Sequence, residues 1–144
     1  FIACLYGYLQ VVERLLAVEG IDVNRPDNEG ATPFFMACFK GRLQVVERLL
    51  AVEGIDVNRP DKYGQTPLHV ACREGHLHLI ERLLVVEGID VNRPDKDRQT
   101  PIMCALSSGH QQTMEMMLED QRVDVNLGFF LETENFEAIS KKQQ

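Results

Sequence analysis

The chain has 144 residues, 44% of them apolar and 26% charged, with a formal net charge of −7; this is the balance of one ordinary globular domain. Such acidity argues against sequence-independent binding of DNA or RNA, which needs a basic face. No apolar run approaches the roughly 18 residues that a membrane span requires, so no membrane insertion is expected.

The chain opens on Phe1-Ile2-Ala3-Cys4 with no initiator Met and no visible signal peptide, and is expected to be a piece of a longer protein. Asp-Val-Asn-Arg-Pro-Asp then occurs at Asp22, Asp56 and Asp90, and Asp-Val-Asn returns at Asp124, each start 34 residues after the last. Gln10 to Asp27 is identical, residue for residue, to Gln44 to Asp61. A fixed period of this size means one supersecondary unit copied and stacked. Stacked units offer a long surface more readily than a catalytic pocket. The period divides the chain into a partial unit over 1–26, full units over 27–60, 61–94 and 95–128, and a C-terminal cap or decayed unit over 129–144.

The first unit begins inside its first helix, because Phe1 aligns with Phe35. In the second unit Thr32-Pro33 is a helix start: threonine caps free N–H groups and proline suits the first helical position. That helix is expected from about Pro33 to Lys40, stopped by Gly41. A second helix is expected from about Leu43 to Val52, where Leu43, Val46, Leu49 and Leu50 form one apolar stripe. Glu47 and Arg48 take the wet side, Ile55 and Val57 anchor the loop, and Arg59-Pro60-Asp61 leads into a turn closed by Gly64. In the fourth unit Arg98 stands where Gly30 and Gly64 stand. If that turn needs positive φ, arginine strains it by about 1–2 kcal/mol. Gln111 and Thr113 replace Leu43 and Val45, so this unit reads as the loosest. After Asn126 the pattern fades; Thr133 is expected to cap a short helix to about Lys142, with Phe136 and Ile139 facing the fourth unit.

The third unit reads Gly64-Gln65-Thr66-Pro67-Leu68-His69-Val70-Ala71-Cys72-Arg73-Glu74-Gly75-His76. It resembles the ankyrin repeat, whose motif is Thr-Pro-Leu-His at a period of 33. The resemblance spans essentially residues 1–126 and implies an all-α repeat solenoid of stacked helix-turn-helix units with hairpin loops. The extra residue per unit lies between Leu49-Leu50 and Gly54, lengthening the second helix or its exit. The neighbouring units carry Thr32-Pro33-Phe34-Phe35 and Thr100-Pro101-Ile102-Met103, so the local hydrogen bonding of a histidine is absent there.

Several features suggest chemistry, yet the period accounts for them. His69, Cys72, His76 and His78 have the look of metal ligands at helical spacing. Three of the four fall on repeat positions, leaving only His78 on an exposed face, and no metal is expected. Asp22, Asp56 and Asp90 recur with the unit, as do Asp27, Asp61 and Asp95, which marks them as turn caps. No unique carboxylate pair, nucleophile elbow or phosphate loop is present, so neither catalysis nor a cofactor is expected of this chain. Cys4, Cys38, Cys72 and Cys104 read as buried, reduced thiols: the first three are 34 apart, and equivalent positions in stacked units lie roughly 10 Å apart, beyond disulfide reach. Reduced thiols suit an intracellular, cytoplasmic setting. Met114 and Met117 align with Val46 and Leu49 and read as core, whereas Met116 aligns with Arg48 and reads as exposed.

The resemblance implies a concave surface formed by the hairpin tips and the outer face of each first helix. Carried over by position, this surface comprises Leu5, Tyr6, Asn28, Glu29, Ala31, Phe39, Lys40, Lys62, Tyr63, Gln65, Arg73, Glu74, Lys96, Asp97, Gln99, Ser107 and Ser108. Identity between units is kept in the second helices and lost at these positions. Tyr6, Phe39 and Tyr63 stand among Lys40, Lys62, Arg73 and Lys96, and aromatic anchors beside positive charge suit a protein contact. The expected function is a protein-interaction module within a larger intracellular protein, taking a protein or peptide partner. The alternatives are a targeting or regulatory domain of a multidomain enzyme or host-directed effector whose catalytic part lies elsewhere, and a plain structural spacer. The apolar end at Phe1 also predicts end-to-end self-association.

Overall fold

The computed structural model describes residues 1–126. The expectations for Thr133 to Lys142, and for a terminal cap, lie outside the described residues. Eight helices follow in order: α1 Ile2–Tyr6, α2 Leu9–Leu16, α3 Pro33–Phe39, α4 Leu43–Leu50, α5 Pro67–Glu74, α6 Leu77–Leu84, α7 Pro101–Ser107 and α8 Gln111–Glu119. There is no strand among the described residues. The odd-numbered helices stack into one layer and the even-numbered helices into a second. Neighbouring helices pack more extensively in the first layer than in the second. That difference curves the stack and puts the odd-numbered helices and their hairpins on the inner side.

Each first helix starts as its sequence dictates. Thr32, Thr66 and Thr100 are extended at the N-cap, with proline following. Their partners differ. Thr32 Oγ1 accepts from the Phe35 N–H at 3.1 Å. Thr66 is tied to the His69 ring, whose Nδ1 accepts the Thr66 N–H at 3.0 Å and lies 2.8 Å from Thr66 Oγ1. Thr100 Oγ1 is buried without a partner, and Met103 stands at the histidine position. Thr113 Oγ1, in the place of Val45, is also buried and unpaired. Two orphaned hydroxyls fall in the fourth unit, each costing about 1–3 kcal/mol of desolvation, yet α7 packs against α5 as closely as any pair of first helices, so a looser fourth unit is not seen in its helix packing.

The second helices are shorter than the sequence suggests. α4 ends at Leu50, two residues before Val52. The Val52 N–H turns back to the Leu49 carbonyl at 2.9 Å, and Gly54 takes φ 80. The extra residue of the 34-residue period therefore sits in the helix exit. Within α4, Val46 and Leu49 are buried, and so is Val45, which the single stripe omitted; Leu43 and Leu50 are half-buried. The helix lies against α2 on one side, α6 on the other and α3 beneath, so its buried arc is wider than one stripe. Ile55 and Val57 are half-buried, whereas their counterparts Ile89 and Val91 are buried. Met117 is buried in the core at the place of Leu49, Met114 is only half-buried at the place of Val46, and Met116, expected to be exposed, is half-buried against the core.

The loops are clamped from unit to unit. Asn24 donates Nδ2–H to the Gly54 carbonyl at 2.7 Å and accepts the Asp56 N–H at 2.9 Å. Asn58 and Asn92 repeat both bonds one and two units on. The aspartates of the period do what recurrence implied. Asp61 Oδ1 accepts the Tyr63 and Gln65 N–H groups, each at 2.9 Å, and Asp27 and Asp95 act likewise. In the fourth unit Arg122 replaces the loop glycine; it grips the Asp120 carboxylate and reaches the Leu84 carbonyl at the end of α6.

Candidate protein-interaction surface

The hairpins stand side by side because their backbones bond directly. The Lys62 N–H donates to the Glu29 carbonyl at 2.7 Å and the Lys96 N–H to the Tyr63 carbonyl at 3.0 Å. This fixes residues 28–29, 62–63 and 96–97 as a row of tips. Asn28, Glu29, Lys62, Tyr63, Lys96 and Asp97 are exposed there. Below the tips, the ends of the first helices present Tyr6, Lys40, Glu74, Ser107 and Ser108 to solvent, with Leu5, Phe39 and Arg73 half-buried. Ala31 does not belong to this surface. It is buried, since its N–H turns in to Asp27 and its carbonyl to the Asp27 N–H.

The aromatic and cationic residues meet. The Lys40 ammonium lies 4.6 Å from the Phe39 ring centre, and the Arg73 guanidinium lies 6.0 Å from the same ring. Lys62 stands 5.0 Å over the Tyr63 ring and pairs with Glu29. Phe39 is thus a half-covered floor between two cations rather than a free anchor, while Tyr6 and Tyr63 are each 55% exposed. Arg73 is held in place by Gln65, whose Oε1 accepts from Nη1 at 2.7 Å, and by Glu74 at 3.4 Å. Gln65 in turn donates to Asp95 at 3.4 Å.

Tyr8 was not among the expected surface residues, yet it is exposed and stacked on Tyr6, ring centres 5.8 Å apart. The signal lay in the register. Tyr8, Arg42 and His76 occupy one repeat position, and the last two reach back to the preceding unit, Arg42 to the Leu5 carbonyl and His76 to the Phe39 carbonyl. Tyr8 has no preceding unit among the described residues and turns to its neighbour instead.

The residues that suggested a metal site are separated by role. His69 is buried in its capping network, His76 bridges two units, and His78 is exposed beside Glu81. No group of three metal-ligating side chains is assembled among the described residues. All four thiols are free and buried. Burial pushes the thiols of Cys4, Cys38 and Cys72 upward, and burial followed by Asp95 raises Cys104 to about 11. They are protonated and unreactive at neutral pH.

His69 makes stability depend on pH. Its Nδ1 accepts from Thr66, so the proton sits on Nε2 and is donated to the Gln99 carbonyl at 3.0 Å. The ring is neutral, and burial lowers its pKa below the ordinary value. Between the lowered folded value and an unfolded value near about 6.5, only the unfolded chain binds the proton. The stabilisation is therefore fully present above about pH 6.5 and is lost as pH falls through the folded value. Wild type should lose melting temperature from pH 7.5 to 5.5 more steeply than His69→Gln; parallel slopes would assign the pH dependence elsewhere.

A family model for ankyrin repeats, in three copies, matches residues 1–61 and 49–128. The chain belongs to the ankyrin repeat family. Ankyrin repeats generally mediate protein–protein interaction and are typically non-catalytic, and the two helical layers are the all-α solenoid of the family. No helix among the described residues is long and apolar enough to cross a membrane. A comparison with curated proteins finds no match.

Proposed function

We propose that this ankyrin array is an interaction module that docks a protein or peptide on its inner face, across the hairpin tips and the ends of α1, α3 and α5. The observation that carries this reading is the pairing of half-exposed Phe39 with Lys40 and Arg73 and of exposed Tyr63 with Lys62, on a face that also exposes Tyr6. Rigid aromatics with charge at their edges are the side chains that dominate protein interfaces. A spacer has no use for them, and drifting surface positions more often end in small polar residues. Phe39→Ala with Tyr63→Ala should weaken capture of a bound partner by about tenfold or more, read by comparing what each form retains. Equal retention by both forms would favour the spacer.

We infer a second contact at the first-unit end of the stack. Among the described residues, eight of the twelve exposed large apolar side chains lie within the first 21, among them Ile2, Val11, Leu15 and Val18. Phe1, Leu15 and Ile21 edge a shallow apolar hollow that reaches down to Leu49. This face supports self-association between copies, since contiguous apolar surface of this kind seldom stays wet. Light scattering should show mass rising with concentration, and Leu15→Glu should return the chain to monomer. A strict monomer at millimolar concentration would count against it.

A further inference from the structure

The partner's chemistry can be taken one step further, on the reading that the inner face is where it docks. The lysines are confined to one layer. Every lysine of the described residues, Lys40, Lys62 and Lys96, stands on the inner face, joined by Arg73 and Arg98. The outer layer is acidic instead: in the second unit Glu47 and Glu53 stand against Arg48 alone, and the first and third units repeat the pattern. The inner face carries as many carboxylates as cations, Asp97 among them without an ion-pair partner among the described residues, so its positive charge is local rather than general. Asp27, Asp61 and Asp95 hold turn N–H groups, Glu29 pairs with Lys62, and Glu74 pairs with Arg73. Lys40, Lys96 and Arg98 have no ion-pair partner among the described residues.

Two cations of this face meet at Phe39. Two cationic heads, Lys40 and Arg73, lie within 6.0 Å of one ring centre. Arg73 is already oriented by Gln65 through Nη1 and by Glu74 through Nε, which leaves Nη2 without a described partner. Two cations held at one aromatic ring repel each other, and an anion that reaches both relieves that repulsion. A planar carboxylate suits the free edge of a held guanidinium. We propose that the partner is an acidic protein segment, and that one of its carboxylates sits over Phe39 between Lys40 and Arg73. Tyr63 then takes an apolar or aromatic side chain farther along, and Lys96 a second acid. A phosphate backbone could meet the same cations, but the overall charge of −7 repels a long polyanion, whereas a short acidic segment meets only this face.

The test is fluorescence anisotropy with the full 144-residue chain. The probe is a labelled peptide alternating Glu and Leu with one central Tyr; its controls are the same peptide with Gln for Glu, and a single-stranded oligothymidine of equal charge. The acidic peptide should bind about tenfold tighter than its Gln form, one good charge-assisted contact. The gap should close in Lys40→Glu with Arg73→Glu, and in the milder Lys40→Gln with Arg73→Gln if the first pair disturbs folding by circular dichroism. Salt should narrow it as screening shortens. Equal binding of both peptides, or an unchanged gap in the variants, overturns the acidic-segment proposal. If that binding still needs Phe39 and Tyr63, the docking face itself stands. Equal competition by the oligothymidine overturns the choice of a protein partner. Failure of either peptide to bind in a manner dependent on Phe39 and Tyr63 overturns the docking reading as well.

Discussion

Leu49→Ala is expected to destabilise the fold by about 2–5 kcal/mol, the usual range for a leucine truncated in a packed core. The same change at Leu15 should cost about 1 kcal/mol or less, as for a largely wet position. The two leucines sit in identical octapeptides, Leu9 to Leu16 and Leu43 to Leu50. Propensity, neighbours in sequence and rotamer preference are the same for both. Only the surroundings differ: Leu49 is 2% exposed and Leu15 is 41% exposed. α4 is sandwiched between α2 and α6, whereas α2 has a helix on one side alone among the described residues. Urea denaturation of both variants measures what a neighbouring unit adds at one position. Equal losses would mean that the stacking faces have been assigned wrongly.

Gly30→Ala is expected to cost about 2–5 kcal/mol, and Gly54→Ala only about 1–2 kcal/mol. Both glycines have left-handed backbone, φ 83 and φ 80, so each alanine meets the same conformational penalty of about 1–2 kcal/mol. The surroundings again separate them. A Cβ on Gly30 would stand 2.9 Å from the Lys62 nitrogen and 3.1 Å from the Asp61 carbonyl carbon, in the hairpin of the next unit. Backbone held by its own hydrogen bonds yields poorly, and overpacking adds about 1–3 kcal/mol. A Cβ on Gly54 meets nothing within 4 Å. Thermal denaturation decides it: similar shifts for both variants would show that the hairpins are not seated on one another as described.

Arg98 explains itself in the same terms. It holds φ 66 at the turn position of Gly30 and Gly64, so the predicted strain of the left-handed turn is present. What sets this turn apart is its far side. Gly64 must admit the backbone of Asp95 and Lys96, which would lie 3.0–3.4 Å from its Cβ. No hairpin follows Arg98 among the described residues, and a side chain is admitted there at the cost of strain alone.

Much of this was legible in the chain. The 34-residue register, the Thr-Pro helix starts, the aspartate-capped turns and the two helices per unit all follow from local signals that repeat in phase. Local chemistry determines them: caps, turn residues and apolar spacing act within a few residues, so the sequence alone specifies them. The row of candidate contact residues could be placed for the same reason, because register carries each one to a known corner of its unit.

What the sequence could not decide was how deeply each side chain is buried. Ala31 sat in the expected surface and is buried, Phe39 is half-covered, and Met116 packs where an exposed residue was expected. Val11 and Leu15 of α2 are exposed where the identical Val45 and Leu49 of α4 are buried. Burial, the pairing of cations over Phe39, and the bridges from Arg42 and His76 all depend on residues about one period away. Periodicity names the positions in a unit; only stacking one unit on the next decides which of those positions stay in water.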